Sequence, residues 1–476
     1  SETQNDSFKS VSRYFDRITR PEQILTSLPQ AINVMLDPAD CGPAVISMSQ
    51  DVQGEAYDYP EIFFEEKIHE IRRIHPDPNQ IQKAADKLKQ SKQPIIISGG
   101  GVLYSEAEEE ISAFAKKHNI PVTATVMGIG CMNKDDPYYI SAIGCLGEGS
   151  SNNLATDTDL ALAVGTKLGD FTTGSWTNFE NENFQLVSIN TSRFDTTKHR
   201  ATPVVSDAKI GLQELSKALG DWKAPDNWYQ RSIEERNKWD EYVAKESGPT
   251  NQELPSYAHA VGAVYRNSDP SDIVVTAAGG LVGEVVQIWK PKELNTFETE
   301  WGFSCMSYEI SGALGIKMAK PEQDVIVFVG DGSYLLQNSD IYSSVLYDKK
   351  LIIVVCDNGG HMVINRLQLA KGGNEYLCNL NAARATNVQF VDFEAHAKSM
   401  GANGETVKSI SELEAAFKRA KESDKTYVIS MKTDGYEWLE GTAFWESPTL
   451  EVDNTEGKKS ALNEFLEGKN KQRKGV

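Results

Sequence analysis

The sequence VIVFVGDGSYLL, residues 325–336, decides the fold class of this chain. It begins with five apolar residues, runs into Gly330-Asp331-Gly332, and continues into a pattern typical of a helix. A short β-branched run bounded by glycine is typical of a buried strand in a parallel sheet. Because the ligands of such sheets bind at the carboxyl ends of the strands, Asp331 is predicted to lie in a binding site.

A second apolar run, LIIVVC at residues 351–356, ends on Asp357-Asn358-Gly359-Gly360. A crossover helix predicted at Leu335–Leu346 would join the two strands and bring Asp331 and Asn358 close together. Their carboxylate and amide oxygens, with a backbone carbonyl from the glycine turn, form a ligand set suited to Mg²⁺ or Ca²⁺.

The backbone N–H groups of Gly332 and Ser333, at the start of the crossover helix, are predicted to bind an anion. A carboxylate beside an anion requires a cation between them, so the pattern predicts a diphosphate bridged by a metal ion. The alternative is a tight turn in which Asp331 only caps the helix, and the tripeptide taken alone favours that alternative. The chain contains no G-x-x-x-x-G-K-[ST] phosphate loop.

Short β-branched runs alternate with amphipathic stretches along almost the whole chain, which predicts an α/β fold of parallel sheets flanked by helices. Strands are predicted at PIIIS, PVTATV, LALAVG and QLVSIN in one unit, and at DIVVTA, DVIVFVG, LIIVVC and TYVISM in another. The predicted segments are an N-terminal segment at 1–70, a middle domain at 71–222, a charged helical linker at 223–252, a further domain at 253–446 and a tail at 447–476.

The composition disfavours several classes of protein and partner. The formal net charge of the 476 residues is −20, from 68 acidic and 48 basic side chains, which disfavours nucleic acid and anionic membranes as partners. Six cysteines without a C-x-x-C pair indicate neither a disulfide framework nor a structural zinc site, and free thiols predict a cytoplasmic protein. The sequence contains no apolar run of about 20 residues that could cross a bilayer.

Gly330-Asp331-Gly332 followed by Asn358 resembles the diphosphate motif of the thiamine-diphosphate enzymes, and within them that of the acetohydroxyacid synthase and pyruvate oxidase group. The stretches GPAVISMSQDV, IPVTATVMGIG and EWGFSCMSYEISGALGIKMAKP resemble the end of that group's pyrimidine-binding domain, its Rossmann-like middle domain and its thiamine-diphosphate-binding domain. Three shorter stretches, EWGFSCM, CDNGGHMVINRLQ and SINTSRFDTTKH, most resemble the trihydroxycyclohexane-1,2-dione hydrolases of inositol catabolism.

The resemblance implies thiamine diphosphate and Mg²⁺ as cofactors, with Mg²⁺ held by the side chains of Asp331 and Asn358 and by the carbonyl of Gly360. It makes Met306 the apolar residue that holds the cofactor bent, with ordinary core packing as the alternative. The backbone around Ser304 would accept a hydrogen bond from the cofactor's amino group, although a glycine is usual there. For the two glycines at 279 and 280, close approach to the cofactor and a structural turn are equally good explanations. The predicted cofactor-binding residues are Gly279, Gly280, Ser304, Met306, Gly330, Asp331, Gly332, Ser333 and Asn358.

The activity implied by the resemblance is hydrolysis of a carbon–carbon bond, which opens the ring of trihydroxycyclohexane-1,2-dione to 5-deoxy-glucuronate. His361, Asn365 and Gln368 fall on one predicted helical face after the metal motif, and they are the candidate catalytic and substrate-contacting residues. A solvated helix face or a satisfied histidine is the alternative. The resemblance also implies a homodimer or homotetramer with the active site between two subunits.

Two further predictions concern what this chain is not expected to contain. The activating glutamate of the related enzymes lies before the region that this chain resembles, so no residue is assigned that role, and the chain is expected to be truncated and inactive by itself. The run Gly99-Gly100-Gly101 lacks the G-x-G-x-x-G spacing, and we expect no nucleotide there. Two other functions remain open: a lyase or ligase of the acetohydroxyacid synthase or 2-oxo-acid decarboxylase kind, and an inactive binding or assembly subunit.

Overall fold

Parallel β-sheets organise the part of the chain that the structure describes, residues 2–452 and 455–473. In these residues the computed structural model contains two six-stranded parallel sheets and one two-stranded parallel sheet. The predicted α/β fold of parallel sheets flanked by helices is therefore confirmed. Residue 1, residues 453–454 and residues 474–476, which belong to the predicted N-terminal segment and tail, lie outside the described residues.

The N-terminal segment forms the two-stranded sheet. Its elements are α1 (Glu2–Asp6), β1 (Tyr14–Ile18), α2 (Ile24–Met35) and β2 (Ala44–Met48). Helix α2 connects the two parallel strands, whose register pairs Tyr14 with Ala44. After β2, an irregular connection with two short 3-10 turns leads to the next sheet.

The middle domain is built on a six-stranded sheet with the strand order β5-β4-β3-β6-β7-β8. Its strands are β3 (Pro94–Ser98), β4 (Val122–Ala124), β5 (Tyr139–Ala142), β6 (Leu160–Val164), β7 (Gln185–Asn190) and β8 (Thr202–Val205). Its helices are α3 (Pro78–Gln90), α4 (Gly100–Tyr104), α5 (Glu108–His118), α6 (Gly149–Asp157), α7 (Asp170–Thr173), α8 (Arg193–Thr196) and α9 (Ala208–Leu219). Helix α10 (Asp226–Glu246) follows within the predicted helical linker.

The glycine run after β3 packs against the loop after β6, at the point where the strand order reverses. A Cβ added to Gly99 would lie 2.4 Å from the Gly165 carbonyl oxygen, and one added to Gly101 would lie 2.6 Å from the Gly165 Cα. The close approach of these two loops therefore requires residues without a side chain. Packing accounts for the glycine run without a bound ligand.

The C-terminal domain is built on the second six-stranded sheet, with the strand order β10-β9-β11-β12-β14-β13. Its strands are β9 (Ile273–Thr276), β10 (Phe297–Thr299), β11 (Val325–Gly330), β12 (Ile352–Asp357), β13 (Asn403–Val407) and β14 (Tyr427–Lys432). Its helices, with one near the end of the chain, are α11 (Tyr257–Asn267), α12 (Leu281–Ile288), α13 (Tyr308–Ala319), α14 (Asp331–Leu336), α15 (Ser339–Leu346), α16 (Met362–Ala370), α17 (Phe393–Ser399), α18 (Ile410–Glu422) and α19 (Glu456–Lys471). Among the described residues, no helix is both long enough and apolar enough to span a bilayer.

Both faces of the second sheet are covered, which explains why its central strands β11 and β12 are apolar at every position before their last residue. In β11, Ile326 and Phe328 contribute to one hydrophobic core, whereas Val325, Val327 and Val329 contribute to the other. This alternation follows from the two-residue period of a strand. Burial on both sides holds β11 and β12 rigidly and fixes where each strand ends.

The predicted crossover helix Leu335–Leu346 is wrong in its bounds, because two helices occupy this connection. Helix α14 already begins at Asp331, and α15 begins only at Ser339. Between them Gln337 has extended backbone, and the Asn338 side chain donates to a carbonyl in the last turn of α14 at 3.2 Å. The amide thereby satisfies an acceptor that the end of a helix leaves open.

The chain after β14 returns to the middle domain. The Ala443 N–H donates to the Gly144 carbonyl at 3.2 Å, and the Asn152 side-chain amide donates to the Gly441 carbonyl at 2.8 Å. The segment at residues 433–447 therefore joins the middle and C-terminal domains through main-chain groups.

A lysine joins the starts of two strands at the amino edge of the second sheet. The Lys421 ammonium, at the end of α18, lies 2.6 Å from an Asp272 oxygen, 2.9 Å from an Asp324 oxygen and 2.9 Å from an Asp269 oxygen. Asp272 precedes β9 and is 2% exposed, and Asp324 precedes β11. One cation therefore offsets carboxylates on two strands of the sheet.

Replacing Lys421 by alanine is expected to lower the free energy of unfolding by roughly 2–4 kcal/mol, because the buried Asp272 carboxylate loses its cation. Asp324 keeps the Lys350 ammonium at 2.8 Å. This range lies slightly below that of a fully buried pair because the Lys421 side chain is 20% exposed. Chemical denaturation at neutral pH measures the change. Lys418→Ala, at an exposed position of the same helix, is the control and is expected to change stability by less than about 0.5 kcal/mol. Equal stability of the two variants would contradict the role of Lys421.

Candidate active site

Strands β11 and β12 place the predicted metal ligands next to each other. Their parallel register pairs Gly330 with Cys356, so Asp331 and Asp357 reach the carboxyl edge of the sheet at the same level. Asn358 follows directly after Asp357. The sequence motifs at the two strand ends are therefore neighbours in space, as the crossover connection predicts.

Asp331 and Asp357 form a pair of buried carboxylates, with exposures of 6% and 5%. Burial, followed by the nearby charge of Asp357, raises the pKa of Asp331 to about 7. Asp357 pairs with the Lys432 ammonium and accepts a hydrogen bond from the Gly359 N–H at 3.0 Å. Lys432 thus offsets one of the two charges, and a divalent cation beside Asp331 would offset the other.

The amide oxygen of Asn358 is buried and accepts no hydrogen bond from the described residues. An acceptor in this state costs roughly 1–3 kcal/mol, which a bound cation would recover. No group of three or more His, Cys, Asp or Glu side chains in the described part of the chain could hold a metal ion. A metal here would therefore rely on amide and backbone oxygens as well as a carboxylate, and Asp331, Asn358 and the Gly360 carbonyl fit Mg²⁺ in this respect.

The turn that carries Gly360 is held by the chain at residues 378–380. Gly360 has a φ of +139°, and an added Cβ would lie 2.3 Å from the Cys378 carbonyl oxygen. The His361 N–H donates to the Cys378 carbonyl, and the Leu380 N–H donates to the Gly359 carbonyl, both at 2.8 Å. These bonds fix the backbone of the third predicted metal ligand. Residues 378–380 were not predicted from the sequence, because no local pattern links them to the turn.

All the predicted cofactor-binding residues lie along one edge of the second sheet. Strands β10, β9, β11 and β12 are neighbours and parallel, so the loops that follow them meet at their carboxyl ends. The residues are Gly279 and Gly280 after β9, Ser304 and Met306 after β10, Gly330, Asp331, Gly332 and Ser333 at the end of β11, and Asn358 after β12. Their part in binding a cofactor stays a prediction.

Two serines in the loop after β10 have left-handed backbone, with φ of +52° at Ser304 and +82° at Ser307. Such a conformation costs on the order of 1–3 kcal/mol for a residue with a side chain. It explains why a glycine is usual at the position of Ser304, whose hydroxyl here donates to the Ala277 carbonyl at 3.3 Å. Met306 lies between the two serines and is half-buried, and its contact with the cofactor stays a prediction.

A carboxylate holds the first half of this loop. Glu300 accepts hydrogen bonds from the Phe303 N–H at 2.8 Å and from the Cys305 N–H at 2.7 Å. No role was predicted from the sequence for Glu300, for Glu309 at the other end of the loop, or for Asp357. Two features of the sequence could have indicated such roles: the glutamates at both ends of EWGFSCMSYE, and the aspartate directly before Asn358.

The three predicted substrate residues lie along α16 in different surroundings. His361 precedes the first helical residue, and its exposed ring lies over Gly332, where an added Cβ would be 2.6 Å from the ring. Asn365 is fully buried and donates to Glu375 at 2.9 Å. The side-chain oxygens of Asn365 and Gln368 are buried and accept no hydrogen bond from described residues. These two oxygens could therefore accept hydrogen bonds from a hydroxylated ligand.

A cavity of about 550 Å³ opens between α16 and residues 435–442. Asn365, Arg366 and Tyr436 contribute to its lining, whereas His361 and Gln368 do not. The Arg366 guanidinium lies 5.0 Å from the centre of the Trp438 ring. Of the three predicted substrate residues, Asn365 is thus the one that contributes to the lining of this cavity.

Comparison with known proteins agrees with this arrangement of domains and motifs. Residues 81–215 match the family described as thiamine pyrophosphate enzyme, central domain, and residues 277–431 match the thiamine pyrophosphate enzyme, C-terminal TPP binding domain. A protein from Halalkalibacterium halodurans named 3D-(3,5/4)-trihydroxycyclohexane-1,2-dione hydrolase is 37% identical over 96% of this chain and 75% of its own length. This chain belongs to the same family of thiamine pyrophosphate enzymes.

Further relatives with the same name support that assignment. The protein from Shouchella clausii is 38% identical over 93% of this chain and 74% of its own length. The protein from Bacillus subtilis is 35% identical over 96% of this chain and 76% of its own length. The resemblance of the sequence motifs to the thiamine-diphosphate enzymes and to the trihydroxycyclohexanedione hydrolase family is therefore confirmed. Asp331 and Asn358 both lie within the matched TPP binding domain.

Replacing Gly360 by alanine is expected to lower the free energy of unfolding by roughly 1–3 kcal/mol, because the φ of +139° is strained for alanine and the added Cβ would collide with the Cys378 carbonyl. Thermal unfolding of the purified protein measures the effect. Gly315→Ala is the control, because Gly315 is exposed in α13 with open space around it; this change is expected to be neutral or to stabilise by up to about 1 kcal/mol. An unchanged melting temperature for Gly360→Ala would show that the turn is not held as described.

Proposed function

We propose that this protein is a hydrolase of a carbon–carbon bond that depends on thiamine diphosphate and Mg²⁺. Its proposed substrate is 3D-(3,5/4)-trihydroxycyclohexane-1,2-dione, whose ring it opens to 5-deoxy-glucuronate in myo-inositol catabolism. The observation that supports the cofactors most directly is the buried, unpaired amide oxygen of Asn358 next to the Asp331 and Asp357 pair. Identity of 35–38% to proteins named for this substrate supports the reaction.

The residues that would hold the cofactor lie at the carboxyl ends of four neighbouring strands. Asp331, Asn358 and the Gly360 carbonyl would bind Mg²⁺, and the backbone of Gly332 and Ser333 would donate to the diphosphate oxygens. Bound thiamine diphosphate supplies a carbon nucleophile for addition to a carbonyl group. The chain's own contribution is positioning. The rigid ends of β11 and β12 would hold the cation, and with it the diphosphate, at the carboxyl edge of the sheet.

Recognition of the dione would depend on groups that accept hydrogen bonds from its hydroxyls. The side-chain oxygens of Asn365 and Gln368 are available for this purpose, and the His361 ring lies next to the backbone proposed to hold the diphosphate. The overall reaction adds one water to the dione and breaks the bond between its two carbonyl carbons. The products of that bond cleavage are a carboxylate and an aldehyde on one open chain.

The proposal includes a homodimer or homotetramer. On α14, on α15 and directly after α15, four large apolar side chains are exposed: Leu336 by 61%, Tyr342 by 51%, Leu346 by 61% and Tyr347 by 64%. A group of exposed apolar side chains supports a contact with another subunit. Because α14 begins at Asp331, a subunit packed on this face would lie next to the proposed metal site. A cytoplasmic location is also part of the proposal, and six unpaired cysteines support it.

Asp331→Ala is expected to abolish Mg²⁺-dependent binding of thiamine diphosphate, because it removes the only carboxylate assigned to the cation. Titration calorimetry with Mg²⁺ and thiamine diphosphate measures this. Asp424→Ala is the matched control: this exposed aspartate lies in the turn before β14, at the opposite edge of the sheet, and its loss is expected to leave the affinity unchanged. Equal affinity of Asp331→Ala and the unmodified protein would refute the metal assignment.

Alanine at His361, Asn365 or Gln368 is expected to lower turnover of the cyclic dione, while the affinity for thiamine diphosphate changes little. Ring opening is followed by release of the acid product, and cofactor affinity by calorimetry. Pyruvate is the discriminating second substrate, because a synthase or decarboxylase would consume it and the proposed hydrolase would not. Normal kinetics in all three variants would remove these residues from the proposed site.

A further inference from the structure

Glu309 is a buried carboxylate that the proposed metal and substrate contacts do not use. It lies in the first turn of α13 and is 1% exposed. One of its oxygens accepts a hydrogen bond from the Ala278 N–H at 3.3 Å, and the other accepts one from the Ser333 hydroxyl at 2.8 Å. The two bonds connect α13 to the loop after β9 and to the start of α14.

The Ser333 hydroxyl extends this network to a third loop. While it donates to Glu309, it accepts a hydrogen bond from the Ser307 N–H at 2.7 Å. Ser307 directly follows Met306 and has the left-handed backbone described above. Glu309 is therefore linked to three loops that carry predicted cofactor contacts. It contacts the loop after β9 through Ala278 and the start of α14 through Ser333. Through Ser333 it is also linked to the loop that carries Met306.

The chemistry of the position argues against a role in packing alone. Burial raises the pKa of Glu309, while hydrogen bonds to its carboxylate act in the opposite direction. Burying a carboxylate is costly unless donors compensate for its lost hydration, and an apolar side chain at the start of α13 would avoid that cost. The two donors that compensate it here belong to two different loops, and the Ser333 hydroxyl also accepts from the Ser307 N–H of a third. The carboxylate therefore links three loops to one another.

We propose that Glu309 is a positioning residue for thiamine diphosphate, which sets the relative placement of the three cofactor loops through Ala278, Ser333 and Ser307. This inference rests on the proposed function. Glu309 acts through main-chain and hydroxyl groups rather than by touching the reacting atoms. Its loss should therefore weaken cofactor binding while leaving the Michaelis constant for the dione, measured at saturating cofactor, nearly unchanged.

Calorimetric titration of the purified protein with thiamine diphosphate in excess Mg²⁺ tests the inference. Glu309→Ala is expected to weaken binding about tenfold or more, because it leaves the Ser333 hydroxyl and the Ala278 N–H without their acceptor. Glu309→Gln keeps an acceptor for Ala278 and can donate to the Ser333 oxygen, so it is expected to restore the affinity to within about threefold. Rescue by the amide would show that the hydrogen-bonding geometry, rather than the charge, is what matters.

Two further variants separate a positioning role from a general loss of stability. Glu148→Gln makes the same chemical change at an equally buried carboxylate of the middle domain, 1% exposed, and it is expected to leave cofactor affinity unchanged. The double variant Glu309→Ala with Ser333→Ala is expected to bind the cofactor within about twofold of Glu309→Ala alone, since both side chains belong to one network. Additive losses in the double variant would overturn the inference.

The possible outcomes distinguish this inference from the proposed function. If the unmodified protein binds thiamine diphosphate and Glu309→Ala binds it equally well, Glu309 is not a positioning residue, although the proposed function stands. If the unmodified protein binds no thiamine diphosphate in the presence of Mg²⁺, both the proposed function and the inference fail. Should Glu309→Ala not fold, Ser333→Ala decides the matter: it breaks the link to Ser307, and an affinity equal to that of the unmodified protein would overturn the inference.

Discussion

The parallel pairing of β11 with β12 is the constraint on which the site depends. Because the two strands are buried on both faces, their ends are fixed by the sheet rather than by flexible loops, and they bring Asp331 and Asp357 to one level at its carboxyl edge. The amino edge of the same sheet also carries acidic side chains, the buried Asp272 and the half-buried Asp324. There, however, the protein supplies its own cation, because the Lys421 ammonium pairs with both carboxylates. The sheet thus has acidic groups at both edges, and the carboxyl edge is the one at which a metal ion would supply missing positive charge.

The loops at the carboxyl edge are shaped by carboxylates as well as by glycines. Glu300 organises the loop before Met306 through two backbone N–H groups, and Glu309 joins the part after it to neighbouring loops. Both glutamates belong to the stretch EWGFSCMSYE, in which two residues adopt left-handed backbone without being glycine. Hydrogen bonds to fixed acceptors offset the unfavourable backbone conformations. The shape of the loop is therefore a property of its tertiary surroundings and not of its local sequence.

The sequence predicted those features that follow from short-range pattern. The apolar runs of β11 and β12, with Gly-Asp-Gly and Asp-Asn-Gly-Gly at their ends, were sufficient to place Asp331 near Asn358, because parallel strands and a right-handed crossover leave little choice. Strands β10 and β13 were not predicted, since Phe297–Thr299 is only three residues long and Asn403–Val407 carries a glycine and an exposed face. The break between α14 and α15 depends on a side-chain bond from Asn338. Contacts such as that of Glu309 with Ser333 join distant strands, and no local pattern encodes them.

Serine in place of glycine in the Met306 loop affects how much backbone conformational entropy is lost when a ligand binds. A glycine at residue 304 or 307 would leave the chain free to visit many backbone conformations before a ligand arrives, and each would have to be given up on binding. Serine has fewer accessible backbone conformations than glycine. The hydrogen bonds of Ser304 to Ala277 and of Ser307 to Ser333 stabilise the left-handed conformation before a ligand binds. Part of the entropic cost of binding is then met when the protein folds. The loop therefore meets its ligand already shaped, at the expense of some stability in the folded chain.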